Sequence, residues 1–180
     1  MKLALALEKA FFPSSFAVVG LVIMSVFMHS SPFILNDLAV SVLTLALYVC
    51  VKRIADSRIK DETKKHTIPA MASMPLFFIM SAFVRIDYIL IFAFFSIMAM
   101  IVMTHLIRTR WKISAHCLSF STLATVMSVA NPLFIAMFLL LPLVAWCRLK
   151  LKRHNLSQVL AGSALGLAMP AIIAFAMGLL

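Results

Sequence analysis

The chain has 180 residues, of which 64% are hydrophobic and 12% charged, with a mean hydropathy of +1.09. Soluble domains average roughly 45–50% apolar and about 25% charged residues, so this composition excludes an ordinary soluble protein. A formal net charge of +10 would favour nucleic acid in a soluble protein. In short loops beside a membrane it favours anionic lipid headgroups and phosphate groups instead.

The apolar runs are continuous rather than alternating, which predicts transmembrane helices. The length leaves room for about six or seven spans of about 20 residues each. We therefore expect an all-α fold, a polytopic transmembrane helical bundle forming one integral-membrane domain over residues 1–180. The three cysteines, Cys50, Cys117 and Cys147, lack metal-type spacing and are interpreted as small packing residues.

Seven spans are predicted along the chain, in order. They cover residues 11–30, 33–51, 68–84, 88–107, 115–130, a segment from the Asn131-Pro132 turn to about residue 147, and 156–180. Glu8 and Lys9 interrupt the first apolar stretch, so we expect a retained span there rather than a cleaved signal peptide.

Basic residues lie almost entirely on one side of this topology. Fifteen of the sixteen lysines and arginines fall at its N-terminal end or in loops on one face, and only Arg85 lies on the other. The positive-inside rule would make this face cytoplasmic. A phosphate site would place cations on its own face in either orientation, so the orientation stays open. The expected location is the bacterial inner membrane.

Three basic clusters on this face each lead into a predicted helix. Thr67 is predicted to cap the third span, with Pro69 in its first turn; Ser114 is predicted to cap the fifth span. Either Asn155 or Ser157 is predicted to cap the last one. Free backbone N–H groups and the helix dipole attract anions to such positions. Without the histidines, the basic residues of these clusters would indicate only a solvated rim that faces the lipid headgroups.

Two of the five histidines strengthen the interpretation of a phosphate site. His116 lies two residues beyond a predicted cap, and His154 lies just before the last span, each beside basic residues. Histidines at such positions suit nucleophile and acid roles in phosphoryl transfer. His29 and His105 are interpreted as interfacial or packing residues, and His66 fits either interpretation.

Three segments resemble the signatures of the type-2 phosphatidic-acid phosphatase superfamily. Residues 148–162 read Arg-x5-His, then Leu-Ser-Gln-Val-Leu-Ala-Gly, which resembles the third signature, Ser-Arg-x5-His-x3-Asp. Ser114-Ala115-His116 resembles the second, Ser-Gly-His, and residues 60–69 loosely resemble the first, Lys-x6-Arg-Pro. Motif order and spacing match from about Lys52 onward.

This resemblance implies a metal-independent lipid phosphatase with no cofactor. It implies that His154 attacks phosphorus to form a phosphohistidine and that His116 protonates the leaving oxygen. The expected phosphate-binding residues are Arg148, Lys112, Lys60, Lys64, Lys65 and Ser114. Candidate substrates are phosphatidic acid, phosphatidylglycerol phosphate and polyprenyl diphosphate.

Gln158 stands where the family has the aspartate that orients the attacking imidazole. A glutamine oxygen can accept the ring N–H but carries no charge; the same exchange in a serine-protease triad lowers the rate by about 10⁴. A second hypothesis is therefore a non-catalytic relative that binds lipid phosphates or scaffolds a membrane protein. A third is a transporter or channel. Gly162-x3-Gly166 permits close helix packing, either inside the bundle or in a homo-oligomer.

Overall fold

The computed structural model of the protein describes residues 33–60, 62–108 and 110–180, which are mostly helical and contain no strand. The all-α prediction is confirmed, while the first predicted span, residues 11–30, lies outside the described residues. A 3-10 helix, Pro132–Leu140, separates the fourth and fifth α-helices. Numbered in order within the described part, the α-helices are α1 (Ile34–Arg58), α2 (Glu62–Phe83), α3 (Tyr88–Arg108), α4 (Ala115–Ala130), α5 (Leu141–Lys150) and α6 (Leu156–Ala176).

Four of the described helices are long and apolar enough to cross a membrane, which indicates a membrane protein. They are Ile34–Arg58, Tyr88–Ile107, Pro132–Lys150 and Leu156–Ala176. The other two apolar segments, Met71–Phe83 and Ala115–Ala130, are shorter. The 16 residues of α4 rise about 24 Å, less than the roughly 30 Å of a bilayer core. The predicted six to seven spans are therefore not confirmed.

α2 begins earlier than the sequence pattern predicts. Its first residue is Glu62, so Thr67 lies inside the helix and the prediction that it caps the third span is wrong. Glutamate and lysine are strong helix formers, and they extend the helix beyond the apolar run that defined the predicted span. Lys64 and Lys65 consequently lie in the first turn of α2, and Pro69 lies in its interior.

The chain divides into two compact units. Among the described residues, one contains residues 92–108 and 110–180, and the other contains residues 33–60 and 62–91. We call them the site unit and the hairpin unit, because the first carries both candidate catalytic histidines, His116 and His154, and the second carries α1 and α2. The prediction of a single integral-membrane domain stays a prediction.

In the hairpin unit, α1 packs along α2 and its start is bonded to the segment before α3. The buried carboxylate of Asp37 accepts a hydrogen bond from the backbone N–H of Asp87 at 2.8 Å. The side-chain amide of Asn36 donates to the carbonyl of Arg85 at 3.0 Å. These bonds satisfy backbone groups in the segment 85–87 between α2 and α3, and they give Asp37 a structural role.

In the site unit, α4 and α6 approach closely because two glycines of α6 face α4. A Cβ atom on Gly162 would lie 2.6 Å from the backbone oxygen of Ser114, and one on Gly166 would overlap the backbone oxygen of Leu118. The backbone N–H of Ser114 also donates to the carbonyl of Gln158 at 3.1 Å. The Gly-x3-Gly motif therefore serves packing within this unit.

Both ends of α4 match the predicted boundaries. Ser114 is its N-cap, and its hydroxyl accepts from the backbone N–H of Cys117 at 3.5 Å. Asn131 ends the helix, and its side chain accepts from the N–H of Leu133 at 3.0 Å, which starts the 3-10 helix. A small apolar core joins α4, α5 and α6, formed by Cys117, Phe120, Val144 and Val159.

We predict that Gly166→Ala lowers the stability of the protein by about 1–3 kcal/mol, the usual cost of overpacking. In an exposed helix the same change would be stabilising by about 1 kcal/mol, so the sign of the effect tests the close contact. Thermal unfolding in detergent measures it. Ala168→Val, on an exposed position of α6, is the matched control and should leave the midpoint nearly unchanged. An unchanged or raised midpoint for Gly166→Ala would contradict the packing.

Candidate functional site

The candidate site lies where the segment before α4 meets the start of α6. The bond from the Ser114 N–H to the Gln158 carbonyl, 3.1 Å long, joins the two segments. Arg148 reaches the same region from the last turn of α5. The site is thus built from three chain segments of one unit, each fixed by a helix end.

A capping box fixes the start of α6. Asn155 is the N-cap, and its side-chain oxygen accepts from the backbone N–H of Gln158 at 2.9 Å and from the hydroxyl of Ser157 at 2.8 Å. In return, Oε1 of Gln158 accepts from the backbone N–H of Asn155 at 3.2 Å. Two backbone donors that the helix leaves unpaired are satisfied in this way. Of the two predicted caps, the structure selects Asn155.

His154 lies directly before this capping box, and its ring contacts the box. Nδ1 of His154 is 3.2 Å from Oε1 of Gln158. The same oxygen therefore faces both the imidazole and the N–H of Asn155. The structure places an uncharged acceptor at the position that the family resemblance assigns to an orienting aspartate.

The pKa of His154 lies below its ordinary value of 6.5. Burial is the main cause, and the positive charges of Arg148 and Lys112 act in the same direction. The bond to Gln158 and a hydrogen bond from the ring to the backbone carbonyl of Lys112 partly oppose these effects. The imidazole is therefore neutral at pH 7. Because protonation favours the unfolded state, stability associated with His154 is full above pH 6.5 and falls as the pH drops towards the folded-state pKa.

Arg148 brings a buried cation to the site, since only 6% of its surface is exposed. It lies in the last turn of α5, where the helix dipole favours positive charge. Its backbone carbonyl accepts from the N–H of Arg153 at 3.2 Å, and Lys152 adopts a left-handed conformation with φ of 53° in the same turn. A guanidinium presents a planar fork suited to phosphate oxygens.

The second motif occupies the start of α4. His116 is half-buried in the first turn, and its Nε2 atom is buried. Ser114 is fully buried, while Lys112, two residues earlier, is exposed. This arrangement places an imidazole and an ammonium group at the N-terminus of a helix, the end that favours anions.

Most of the predicted site residues belong to one unit, and the residues of the first motif belong to the other. Contacts join His154, Gln158, Ser114 and Lys112, and the positive charge of Arg148 acts on the ring of His154. Lys60, Lys64 and Lys65 belong to the hairpin unit, so their predicted contact with phosphate stays a prediction.

Two features of the site were missed in the sequence. The backbone N–H of Asn155 contacts the amide that faces His154, and the Asn-x-x-Gln spacing of a capping box was the signal for it. The backbone carbonyl of Lys112 contacts the ring of His154. Every residue has a backbone carbonyl, so the sequence contains no signal for this second contact.

Comparisons of the chain with protein-family models, with curated proteins and with solved structures give no match. The likeness to the type-2 phosphatidic-acid phosphatases therefore rests on the three motifs and stays a prediction. Function must be inferred from the chemistry of the site itself.

We predict that Lys112→Gln raises the pKa of His154, because it removes a positive charge that disfavours the imidazolium form. The measurement is an NMR titration of the imidazole in the full-length protein, labelled with ¹⁵N-histidine and held in detergent. The control is Lys150→Gln, which removes an exposed lysine of α5 and should leave the pKa unchanged. Equal shifts in the two variants would show that a diffuse surface potential, rather than Lys112, acts on the ring.

Proposed function

We propose that this protein is a membrane-embedded lipid phosphohydrolase. Its reaction would remove phosphate from a monoester or a pyrophosphate on a lipid, and its location would be the bacterial inner membrane. The observation that carries the proposal is the placement of His154, whose Nδ1 is 3.2 Å from Oε1 of Gln158 and whose pKa is lowered by burial and by the positive charge of the buried Arg148, which favours the neutral ring. A neutral ring near fixed positive charge suits attack on an anionic phosphate group.

In the proposed reaction, Nε2 of His154 attacks phosphorus and the bond between phosphorus and the lipid oxygen breaks. That oxygen takes a proton from His116, which gives a lipid alcohol, or a lipid monophosphate when the substrate is a diphosphate. Water then attacks the phosphohistidine and gives its proton to His116. The phosphorus–nitrogen bond breaks, inorganic phosphate leaves and His154 is restored.

The charges around the ring support an anionic substrate at the membrane surface. Arg148 can bind two phosphate oxygens through its fork, and Lys112 adds an exposed positive charge. The N-terminus of α4 adds a partial positive charge from its dipole. These groups lie at the ends of apolar helices, where a lipid headgroup would be found. This favours phosphatidic acid, phosphatidylglycerol phosphate or a polyprenyl diphosphate.

A specific observation also favours the non-catalytic alternative. Gln158 carries no charge, so it stabilises a developing imidazolium less than a carboxylate would. The same cations that assist attack also hold a phosphate group without turnover. A protein with this site would bind lipid phosphates, or scaffold a membrane-protein partner through them.

We predict that the purified protein releases phosphate from at least one of these lipids without added divalent metal. His154→Ala and His116→Ala should each abolish release, because one removes the nucleophile and the other removes the acid. A phosphate-release assay over a panel of lipid phosphates measures this. The matched control is His105→Gln, on α3, which should retain the wild-type rate. Equal rates in the wild type and both alanine variants would overturn the enzyme proposal.

We predict that Gln158→Glu raises the rate of phosphate release by an order of magnitude or more, because a carboxylate stabilises the imidazolium. Glutamate keeps the length of the side chain, whereas Gln158→Asp supplies the residue of the family signature on a shorter side chain. The same assay measures both variants. If neither releases phosphate while the wild type binds lipid phosphate tightly and in a salt-dependent manner, the scaffold alternative is favoured instead.

A further inference from the structure

We infer that the backbone N–H of Asn155 sets the tautomer of His154 through the amide of Gln158, which makes Asn155 a positioning residue. The inference deepens the proposed function, since an Nδ1–H tautomer leaves the lone pair on Nε2, the atom assigned to attack phosphorus. The tautomer itself is a property of the protein without substrate. It can therefore be tested separately from phosphate release.

The first step concerns the orientation of the Gln158 amide. A backbone N–H can only donate, so the Gln158 atom 3.2 Å from the Asn155 nitrogen must accept, and only the amide oxygen can do so. A flipped amide would place its NH₂ group against the N–H of Asn155, donor against donor. The capping box therefore fixes which end of the amide faces the N-cap, a choice that the shape of the side chain alone leaves open.

The second step passes from the amide to the ring. The same oxygen lies 3.2 Å from Nδ1 of His154, and an amide oxygen has no proton to give. A hydrogen bond between these two atoms therefore requires the proton to be on Nδ1. In a neutral imidazole this leaves Nε2 without a proton.

A second acceptor, the backbone carbonyl of Lys112, competes with Gln158 for the ring proton of His154. The backbone carbonyl of Lys112 also contacts the ring and would favour a proton on Nε2 if it bonded that atom. Both acceptors would be satisfied together only by an imidazolium, which burial and the charges of Arg148 and Lys112 disfavour. With a single proton on the ring, an Nε2–H tautomer would set the Nδ1 lone pair against the oxygen of Gln158 at 3.2 Å. The Nδ1–H tautomer avoids this repulsion and leaves the Lys112 carbonyl without the ring proton instead, so the ¹⁵N shifts of the wild-type ring decide between the two acceptors.

The contact between the Asn155 N–H and the Gln158 side chain matters because residue 158 carries an amide group rather than a carboxylate. Both oxygens of a carboxylate accept, so either one would draw the proton to Nδ1. An amide presents an acceptor at one end and donors at the other, so its orientation decides the tautomer. Gln158 thus needs a second contact to hold its oxygen toward His154, and the N–H of Asn155 supplies it.

The wild-type protein gives the first test. In full-length protein labelled with ¹⁵N-histidine, above pH 7, the ¹⁵N shifts of His154 report which ring nitrogen carries the proton, and His154→Gln assigns the signal. We expect a protonated Nδ1 and an unprotonated Nε2. A protonated Nε2 in the wild type would overturn the inference, and this measurement requires no variant at Asn155 to fold.

A pair of variants at residue 155 isolates the N–H group. Asn155→Pro removes the N–H at a position whose φ of −89° and ψ of 172° lie near the range that proline adopts, whereas Asn155→Ala loses only the side-chain cap. We expect the alanine variant to keep the Nδ1–H tautomer and the proline variant to populate Nε2–H. Adding Gln158→Glu to Asn155→Pro should restore Nδ1–H, because a carboxylate needs no fixed orientation.

The same variants separate this inference from the proposed function. A wild-type tautomer in Asn155→Pro, or equal shifts in the proline and alanine variants, would overturn the role of the N–H. An Nδ1–H wild type that releases no phosphate would leave the tautomer inference standing and count against the enzyme. If the enzyme is active, the proline variant should lose at least tenfold in kcat at constant fold, and Gln158→Glu should recover it.

Discussion

The close approach of α4 and α6 is the constraint on which the site depends. Because Gly162 and Gly166 have no side chain, the backbones meet near Ser114 and Leu118, and the Ser114 N–H reaches the carbonyl of Gln158. That contact fixes the segment before α4 against the start of α6. The imidazole of His154 then lies within hydrogen-bonding reach of the Lys112 backbone. A looser helix pair would leave the same residues on separate surfaces.

In the proposed function, the neutral amide of Gln158 has opposite effects on phosphate binding and on turnover. An aspartate at this position would offset part of the positive charge of Arg148 and Lys112, and it would also stabilise a protonated His154. The amide leaves the surrounding cations undiminished, which favours a bound phosphate group. It also raises the pKa of His154 less than a carboxylate would, so in the proposed reaction the ring starts neutral but gains less stabilisation when attack makes it positive.

Helix ends that are fixed by a capping side chain could be predicted from the sequence. A helix start that depends on the helix propensity of the residues before the apolar run could not. Ser114, Asn131 and Asn155 bound their helices as expected, because their side chains satisfy backbone donors. Thr67 failed as a cap because helix-forming residues precede it. The contact between His154 and Gln158 was an expectation from the family resemblance, which assigns the orienting position to residue 158. The contact with the Lys112 carbonyl arises from tertiary packing, which no motif encodes.

The exchange of aspartate for its amide in serine proteases loses about 10⁴ in rate because the amide selects the wrong histidine tautomer. In this protein the Asn155 N–H opposes that outcome, since a flipped Gln158 amide would lose one hydrogen bond and face a second donor. Leaving such a group unpaired costs about 1–3 kcal/mol, which corresponds to a tautomer ratio from about 5 to above about 100. The capping box therefore offsets the tautomer part of the loss. In the proposed enzyme, the remaining loss in rate would come from the missing negative charge at residue 158, which matters only when the imidazole becomes positive.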